Sequence, residues 1–527
     1  MPSSIGLEYA NCLSGRLRGE GIDPGEIDRA APRMAELTRQ LEATRGTGWE
    51  RWRLLPFDPM RGEHIRAVME IVEAERDRTE NLLVLGIGGS ALGNIALHNA
   101  LRPATWNLLP RTPAQPPPRG GRNGPRLFVL DNVDPHFLSD VLDFVKKDDR
   151  KFERTIVNVI SKSGETAETA AQFMIARRML KDALGEKHAE HIIAITDPRK
   201  GTMREICDRE GYRTLPVPDG VGGRFSVLSP VGLFSAAMCG IDVEALLDGA
   251  AAMDARCRSD NLRENPAAML AFLLMTFAAP GRGKRNHVLM PYCNALYSLA
   301  DWYRQLWAES LGKRVDKDGK EVFAGATPIK ALGTTDQHSQ VQLYREGPND
   351  KVIGFVEVES WGVRASRPHA EIDSPPSQGG ARGGSSVASS HGSHPPPNPG
   401  ALPQREGATD LTIPADLGVK NLAYLEGRTL GELIAAEKRA TEYALVESQR
   451  PNFTITFPTL SAYHVGEFIQ LWEVATAYSG LLLNIDAYDQ PAVETGKVAT
   501  FGLMGKPGFI EWKQKVDTTL RQTEWKV

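Results

Sequence analysis

The sequence predicts an α/β protein of two tandem doubly wound domains, each a mostly parallel sheet covered by helices, with helical arms at both ends. Two observations carry this expectation. Short runs rich in Ile and Val recur along the chain, each followed by polar turn residues and then by apolar residues at helical spacing. Strands covered by helices on both faces read as unbroken apolar runs, whereas half-exposed strands alternate. The second observation is length: 527 residues exceed what one ordinary core encloses, so at least two domains are expected.

Residues 1–65 read as an N-terminal helical arm, broken at Pro56 to Pro59 and chemically quiet. The first domain is placed at 66–255. It opens with LLVLGIGGSALGNIALHNAL from Leu82, a strand, a glycine loop and a helix in succession. The same order returns at RLFVLDN (126–132), RTIVNVISKSGET (154–166) and HIIAITD (191–197). A helical stretch around 242–278 leads into the second domain, placed at 256–506, with strands at NHVLMPY (286–292), KVIGFVEVE (351–359) and NFTITFP (452–458). Residues 507–527 form a C-terminal helical tail. Two Pro, Gly and Ser rich segments, 110–125 and 362–407, have too few apolar residues to offset the entropy of ordering and are expected to be flexible insertions.

Composition narrows the function. The 62 Lys and Arg nearly balance the 66 Asp and Glu, so no overall field favours nucleic acid or an anionic membrane, and any anion site must be local. Five scattered cysteines without a C-x-x-C pair suit a reducing compartment. The N-terminus lacks a signal-peptide run, and no stretch approaches the roughly 20 apolar residues that span a bilayer. A cytoplasmic protein is expected. No cluster of Asp, Glu and His ligands appears in the sequence, so no metal or other cofactor is expected.

The chemistry concentrates in turns after strands. Ser161, Lys162, Ser163 and Thr166 lie between a strand and a helix, where free backbone N–H groups, the helix dipole, hydroxyl donors and an ammonium can hold a phosphate dianion. The same residues could simply cap the helix. Gly86 to Ser90 repeats the arrangement in an earlier unit, with Gly89 and Ser90 at its tip. It is not a dinucleotide fingerprint, because its glycines are misplaced and no acidic residue follows a second strand. Two such turns at strand C-terminal ends in one sheet point to a single crevice. Further on, Leu296, Leu299, Tyr303, Leu306 and Trp307 form a core-facing helical stripe, which leaves Gln305 and Glu309 on another face. By spacing alone Glu309, four residues before Lys313, suits a surface ion pair.

The pair GIGGS and SKSGET resembles the sugar isomerase (SIS) phosphosugar-binding fold, with Glu165 standing where glucose-6-phosphate isomerases more often carry Thr. GGRFSVLS at 222–229 resembles a signature of the glucose-6-phosphate isomerase family itself. So do Q-x-x-x-E-S-x-G-K from Gln305, the segment around His338, and YDQPAVETGK at 488–497, where Ala492 replaces the usual Gly. The resemblance implies a reversible conversion of glucose 6-phosphate and fructose 6-phosphate by ring opening and metal-free proton transfer through a cis-enediol. It implies Glu309 as the base, His338 and Lys497 for ring opening, and a homodimer in which His338 crosses the interface. Gln305 and Gln490 would lie near the sugar with Gly89, Ser90 and Gly223.

Elementary chemistry fits these roles. A carboxylate can carry a proton between C2 and C1 on one face of a planar enediol. The enediolate needs a cation that is never neutral, and Arg224, on a glycine-preceded turn, meets that need. Either His338 or Lys497 could protonate the ring oxygen; imidazole, with its ordinary pKa of about 6.5, is the better proton carrier near neutrality. The competing readings are another SIS phosphosugar isomerase, including one with dual glucose and mannose specificity, and a non-catalytic phosphosugar sensor.

Overall fold

The computed structural model describes residues 3–111, 122–148, 152–361 and 410–520. The expected insertion at 362–407, most of that at 110–125 and the end of the C-terminal tail lie outside the described residues.

The chain opens with strand β1 (Gly6–Glu8), then helices α1 (Pro24–Thr44) and α2 (Met60–Glu75). Next come β2 (Asn81–Leu85), α3 (Leu92–Leu101), β3 (Arg126–Leu130), α4 (Pro135–Asp148), β4 (Thr155–Ile160), α5 (Ala167–Leu184), β5 (Ile192–Thr196), α6 (Thr202–Glu210) and β6 (Arg213–Pro216). Helices α7 (Pro230–Met238), α8 (Val243–Arg256) and α9 (Pro266–Ala278) precede β7 (Asn286–Pro291) and α10 (Tyr297–Leu311). A small hairpin, β8 (Lys313–Val315) and β9 (Glu321–Ala324), then leads to β10 (Thr327–Lys330), α11 (Thr335–Ser339), α12 (Val341–Glu346) and β11 (Lys351–Ser360). The chain continues through α13 (Leu430–Glu447), β12 (Asn452–Thr459), α14 (Ala462–Leu482), α15 (Ala492–Leu503) and α16 (Ile510–Thr519).

Every strand expected from an apolar run forms, and the class is the expected α/β. The first sheet has the order β3-β2-β4-β5-β6 and is parallel throughout. The second is β1-β12-β11-β7-β10, parallel except for β1. Numbered from their own first strands, both sheets run 2-1-3-4, the order of doubly wound folds whose chain direction reverses beside the first strand. That switch lies between β2 and β4 in one sheet and between β7 and β11 in the other.

The strand runs explain the layering. Leu82 and Val84 face a central core that also contains Val352, Val356 and Ile455 of the second sheet, while Leu83 and Leu85 face an outer core against α4, α5 and α6. Helices α7, α9 and α14 are buried almost throughout, as helices between two sheets must be. Strands β6 and β10 escape the sequence reading because each is four residues long and carries a proline, which restricts it to a sheet edge.

The N-terminal arm differs from the expectation of a chemically quiet helical segment. Its strand β1 extends the second sheet. Its Trp52 stacks on Phe225 at 5.0 Å, and the Trp49 ring lies 5.2 Å from the Lys162 ammonium. Both contacts brace turns singled out in the sequence.

Candidate active site

The turns after β2 and β4 sit side by side at the switch point of the first sheet, because these two strands pair directly. In the turn after β4, the buried Ser161 accepts a hydrogen bond from Gly164 N–H through Oγ (3.0 Å), and Ser163 Oγ accepts from Glu165 N–H (3.2 Å). Gly164 has φ +80°, and a Cβ there would stand 2.3 Å from the Met203 nitrogen, so only glycine lets the turn close onto α6. Thr166 occupies the N-cap position of α5, but its side chain makes no capping bond. The two serines therefore order the turn, while the Thr166 side chain, which makes no capping bond, and the first amides of α5 form an arrangement that could receive an anion.

The turn after β2 packs on the turn carrying Arg224. A Cβ on Gly89 would come 2.2 Å from the Gly223 carbonyl oxygen and 2.8 Å from the Arg224 nitrogen, and one on Gly88 would come 2.8 Å from Gln305 Nε2. Half-buried Ser90 continues the turn into α3. Phe225 is held between Trp52 and Tyr488, with the Tyr488 ring at 5.5 Å, which fixes the backbone beside Arg224.

Arg224 is the centre of the site. Only 5% exposed, it donates through Nε to Ser310 Oγ (2.8 Å), through Nη1 to Glu309 Oε1 (2.9 Å) and Gln490 Oε1 (3.0 Å), and through Nη2 to the carbonyls of Ala487 (2.7 Å) and Asp489 (3.1 Å). Burial pushes the guanidinium below its ordinary value, and the charge of Glu309 is the main opposing influence. Gln305 Nε2 donates to the second oxygen of Glu309 (3.0 Å). Arg224, Glu309, Gln305 and Gln490 thus meet in one cluster, and the Glu309 side chain remains 25% exposed.

This cluster removes the surface-pair reading of Glu309. The Lys313 ammonium donates instead to the backbone carbonyls of Glu309 (2.9 Å) and Ser310 (2.8 Å) and lies 3.5 Å from Asp489, closing the C-terminal end of α10. Burial and the nearby Arg224 guanidinium push Lys313 below its ordinary value, opposed by Asp489.

Two expected residues share no hydrogen bond or ion pair with this cluster among the described residues. His338 is exposed on α11 and makes no side-chain hydrogen bond among the described residues. Its neighbours are anchored: Gln337 accepts from Tyr292 (2.9 Å) and Thr441 (2.8 Å), and Asp336 accepts from Leu332 N–H (2.7 Å). Lys497, on α15, is 52% exposed and pairs with Glu494 one turn earlier (2.7 Å). Ala492 is the first residue of α15 and is not among the positive-φ residues, so alanine brings no strain to that turn.

Ser310 and the carbonyls of Ala487 and Asp489 escaped the sequence reading. Ser310 has a signal, because a hydroxyl four residues after Leu306 on the core-facing stripe needs a buried partner. The carbonyls have none. Among the described residues, no group of three or more His, Cys, Asp or Glu could hold a metal ion.

The family model described as Phosphoglucose isomerase matches residues 63–366 and 422–506. A glucose-6-phosphate isomerase of Carboxydothermus hydrogenoformans is 39% identical over 97% of this chain and 97% of its own length. One of Rubrobacter xylanophilus is 42% identical over 96% of this chain and 99% of that relative. Among solved structures, a hypothetical protein of Thermus thermophilus superposes with a TM-score of 0.74 at 33% identity, covering 95% of this chain and 100% of that one. A glucose-6-phosphate isomerase of Chlamydia trachomatis shares the fold, with a TM-score of 0.70 at 22% identity over 97% of this chain and 95% of that one.

Proposed function

This chain belongs to the phosphoglucose isomerase family, and from that premise we infer how its residues divide the reaction. It interconverts glucose 6-phosphate and fructose 6-phosphate, an aldose–ketose isomerisation of glycolysis and gluconeogenesis. Nothing in these likenesses favours another SIS phosphosugar isomerase, one of dual specificity, or a sensor. Apart from β1, which comes from the N-terminal arm, the strands of the two sheets are assigned to domains at 66–255 and 256–506.

Ser161, Lys162, Ser163 and Thr166 grip the phosphate with the amides of α5, and Gly89, Ser90, Gly223, Gln305 and Gln490 line the sugar. Of His338 and Lys497, one protonates the ring oxygen while the other takes the C1 hydroxyl proton, so the ring C1–O bond breaks and a C1 aldehyde forms. Glu309 then takes the C2 proton and returns it to C1, while the hydroxyl proton passes from O2 to O1 of the enediol. The observation that supports this most is the 2.9 Å contact of Arg224 with Glu309. When Glu309 accepts the substrate proton its attraction for the guanidinium falls, and the buried cation is left to face the enediolate oxygens in a site where charge is weakly screened. Every step is assigned to side chains, so turnover in EDTA is expected. Glu309→Gln removes the base while keeping the amide geometry, and kcat is expected to fall by at least about a thousandfold with KM little changed. Near wild-type turnover would overturn the assignment.

The exposure of His338, which makes no side-chain hydrogen bond among the described residues, supports a homodimer in which each site takes this residue from the other subunit. Mixing inactive Glu309→Gln and His338→Ala dimers and allowing subunit exchange is then expected to restore activity, because one site of each hybrid holds both intact residues. Absence of recovery despite verified exchange would refute the shared site. We place the enzyme in the cytoplasm, with no nucleic-acid or membrane partner; no helix among the described residues is long and apolar enough to cross a membrane.

A further inference from the structure

Helices α15 and α16 form a hairpin, 492–520, whose side chains are almost all exposed or half-exposed. Within it, Phe501 meets Phe509 at 5.3 Å, and the backbone N–H of Lys506 donates to the Phe501 carbonyl (2.8 Å). Lys506 reaches out of it. Its ammonium donates to Glu165 Oε2 at 3.1 Å while lying 4.2 Å from the Phe501 ring and 5.5 Å from that of Phe509. Two aromatic faces limit where this cation can go, so the pair is better ordered than a free surface lysine allows. Glu165 is the one acidic residue inside the Ser161 to Thr166 turn, and its other oxygen faces Thr202 Oγ1 at 3.5 Å, at the start of α6.

We propose that Glu165 and Lys506 form a clasp that holds the hairpin carrying Lys497 against the phosphate-binding turn, making both of them positioning residues. The inference rests on the reading of 161–166 as the phosphate grip and of Lys497 as a ring-opening residue. Its physical content is specific. A carboxylate inside a phosphate site opposes a dianion unless a cation neutralises it, and the cation used here belongs to the segment that Lys497 must be brought in on. Docking of the hairpin and tolerance of the phosphate therefore depend on one ion pair.

The test compares wild type, Glu165→Gln, Lys506→Gln and the double variant in the full-length enzyme, by steady-state kinetics and by amide hydrogen exchange of 492–520. Both single variants are expected to speed exchange in the hairpin about two- to fivefold, the effect of losing an exposed ion pair, and to lower kcat to a similar degree. The double variant is expected to be no worse than either single one, since the pair is broken once. KM separates the singles: Lys506→Gln leaves a bare carboxylate beside the phosphate and raises KM, whereas Glu165→Gln does not. Unchanged exchange and kcat in both singles overturns the clasp, as does a rise in KM for Lys506→Gln with unchanged exchange, which would make Lys506 a phosphate cation only. Thr166→Ala is the independent check on the underlying reading. If it leaves KM unaltered, the phosphate site itself is misassigned, whatever the hairpin exchange reports.

Discussion

Arg224→Lys keeps the positive charge and removes the fork, so it isolates what the planar guanidinium does. Arg224 makes five hydrogen bonds in three directions, toward Ser310, toward Glu309 and Gln490, and toward the carbonyls of Ala487 and Asp489. An ammonium offers three donors from a single atom, so at least two of these acceptors lose their partner. Hydrogen bonds to charged groups contribute about 1.5 to 3 kcal/mol each, which gives roughly 3 to 6 kcal/mol for two. Water reaches the Glu309 side of the cluster, where that side chain is 25% exposed, and can replace part of the loss. The expected destabilisation is about 2 to 4 kcal/mol, with the unmet Ala487 carbonyl and Ser310 hydroxyl contributing most because they are buried. Catalysis is expected to suffer more. Loss of one preorganised donor to a developing oxyanion commonly lowers kcat by about a hundred- to a thousandfold, and a lysine here is both fewer in donors and freer in position. Fructose 6-phosphate formation followed at saturating glucose 6-phosphate gives kcat, and urea unfolding midpoints give the stability change. A kcat within about tenfold of wild type would refute the reasoning, because it would mean that charge alone suffices and the fork is incidental.

Two other outcomes follow from the same geometry. Gly89→Ala would drive a methyl to 2.2 Å from the Gly223 carbonyl oxygen, and since both partners are backbone, the two turns must separate; a kcat loss of about a hundredfold is expected, and unaltered kinetics would show that the turns need not touch. His287, 2% exposed in β7, is pushed down to about 3 by burial. Its folded pKa lies below the unfolded value of about 6.5, so the unfolded chain binds the extra proton between these limits, and stability is full above about pH 6.5 and is lost as pH falls toward 3. Replacing it in His287→Gln is expected to flatten part of that acid limb in urea unfolding midpoints measured across the range, and an unchanged slope would refute this account.

The elements legible in the sequence were those whose signal is local. Unbroken apolar runs marked the central strands because both faces of each are covered, and the step from strand to polar turn to helix marked Ser161 to Thr166 and Gly86 to Ser90. The short edge strands β6 and β10 were not legible, since four residues with a proline carry too little pattern.

By itself, then, the sequence determined the α/β class, the succession of strands and the two turns at the first switch point, because these follow from periodicity and turn chemistry within a few residues. It could not decide between surface pair and base for Glu309, because spacing on one helix says nothing of what approaches from elsewhere. Tertiary structure removed the surface pair: Arg224 lies 85 residues from Glu309 and 266 from Gln490 along the chain, and only the packing of α10 and the 486–490 loop against the turn at 223–225 brings the three together. The same packing takes Lys313 to backbone carbonyls, leaving the carboxylate to the buried guanidinium.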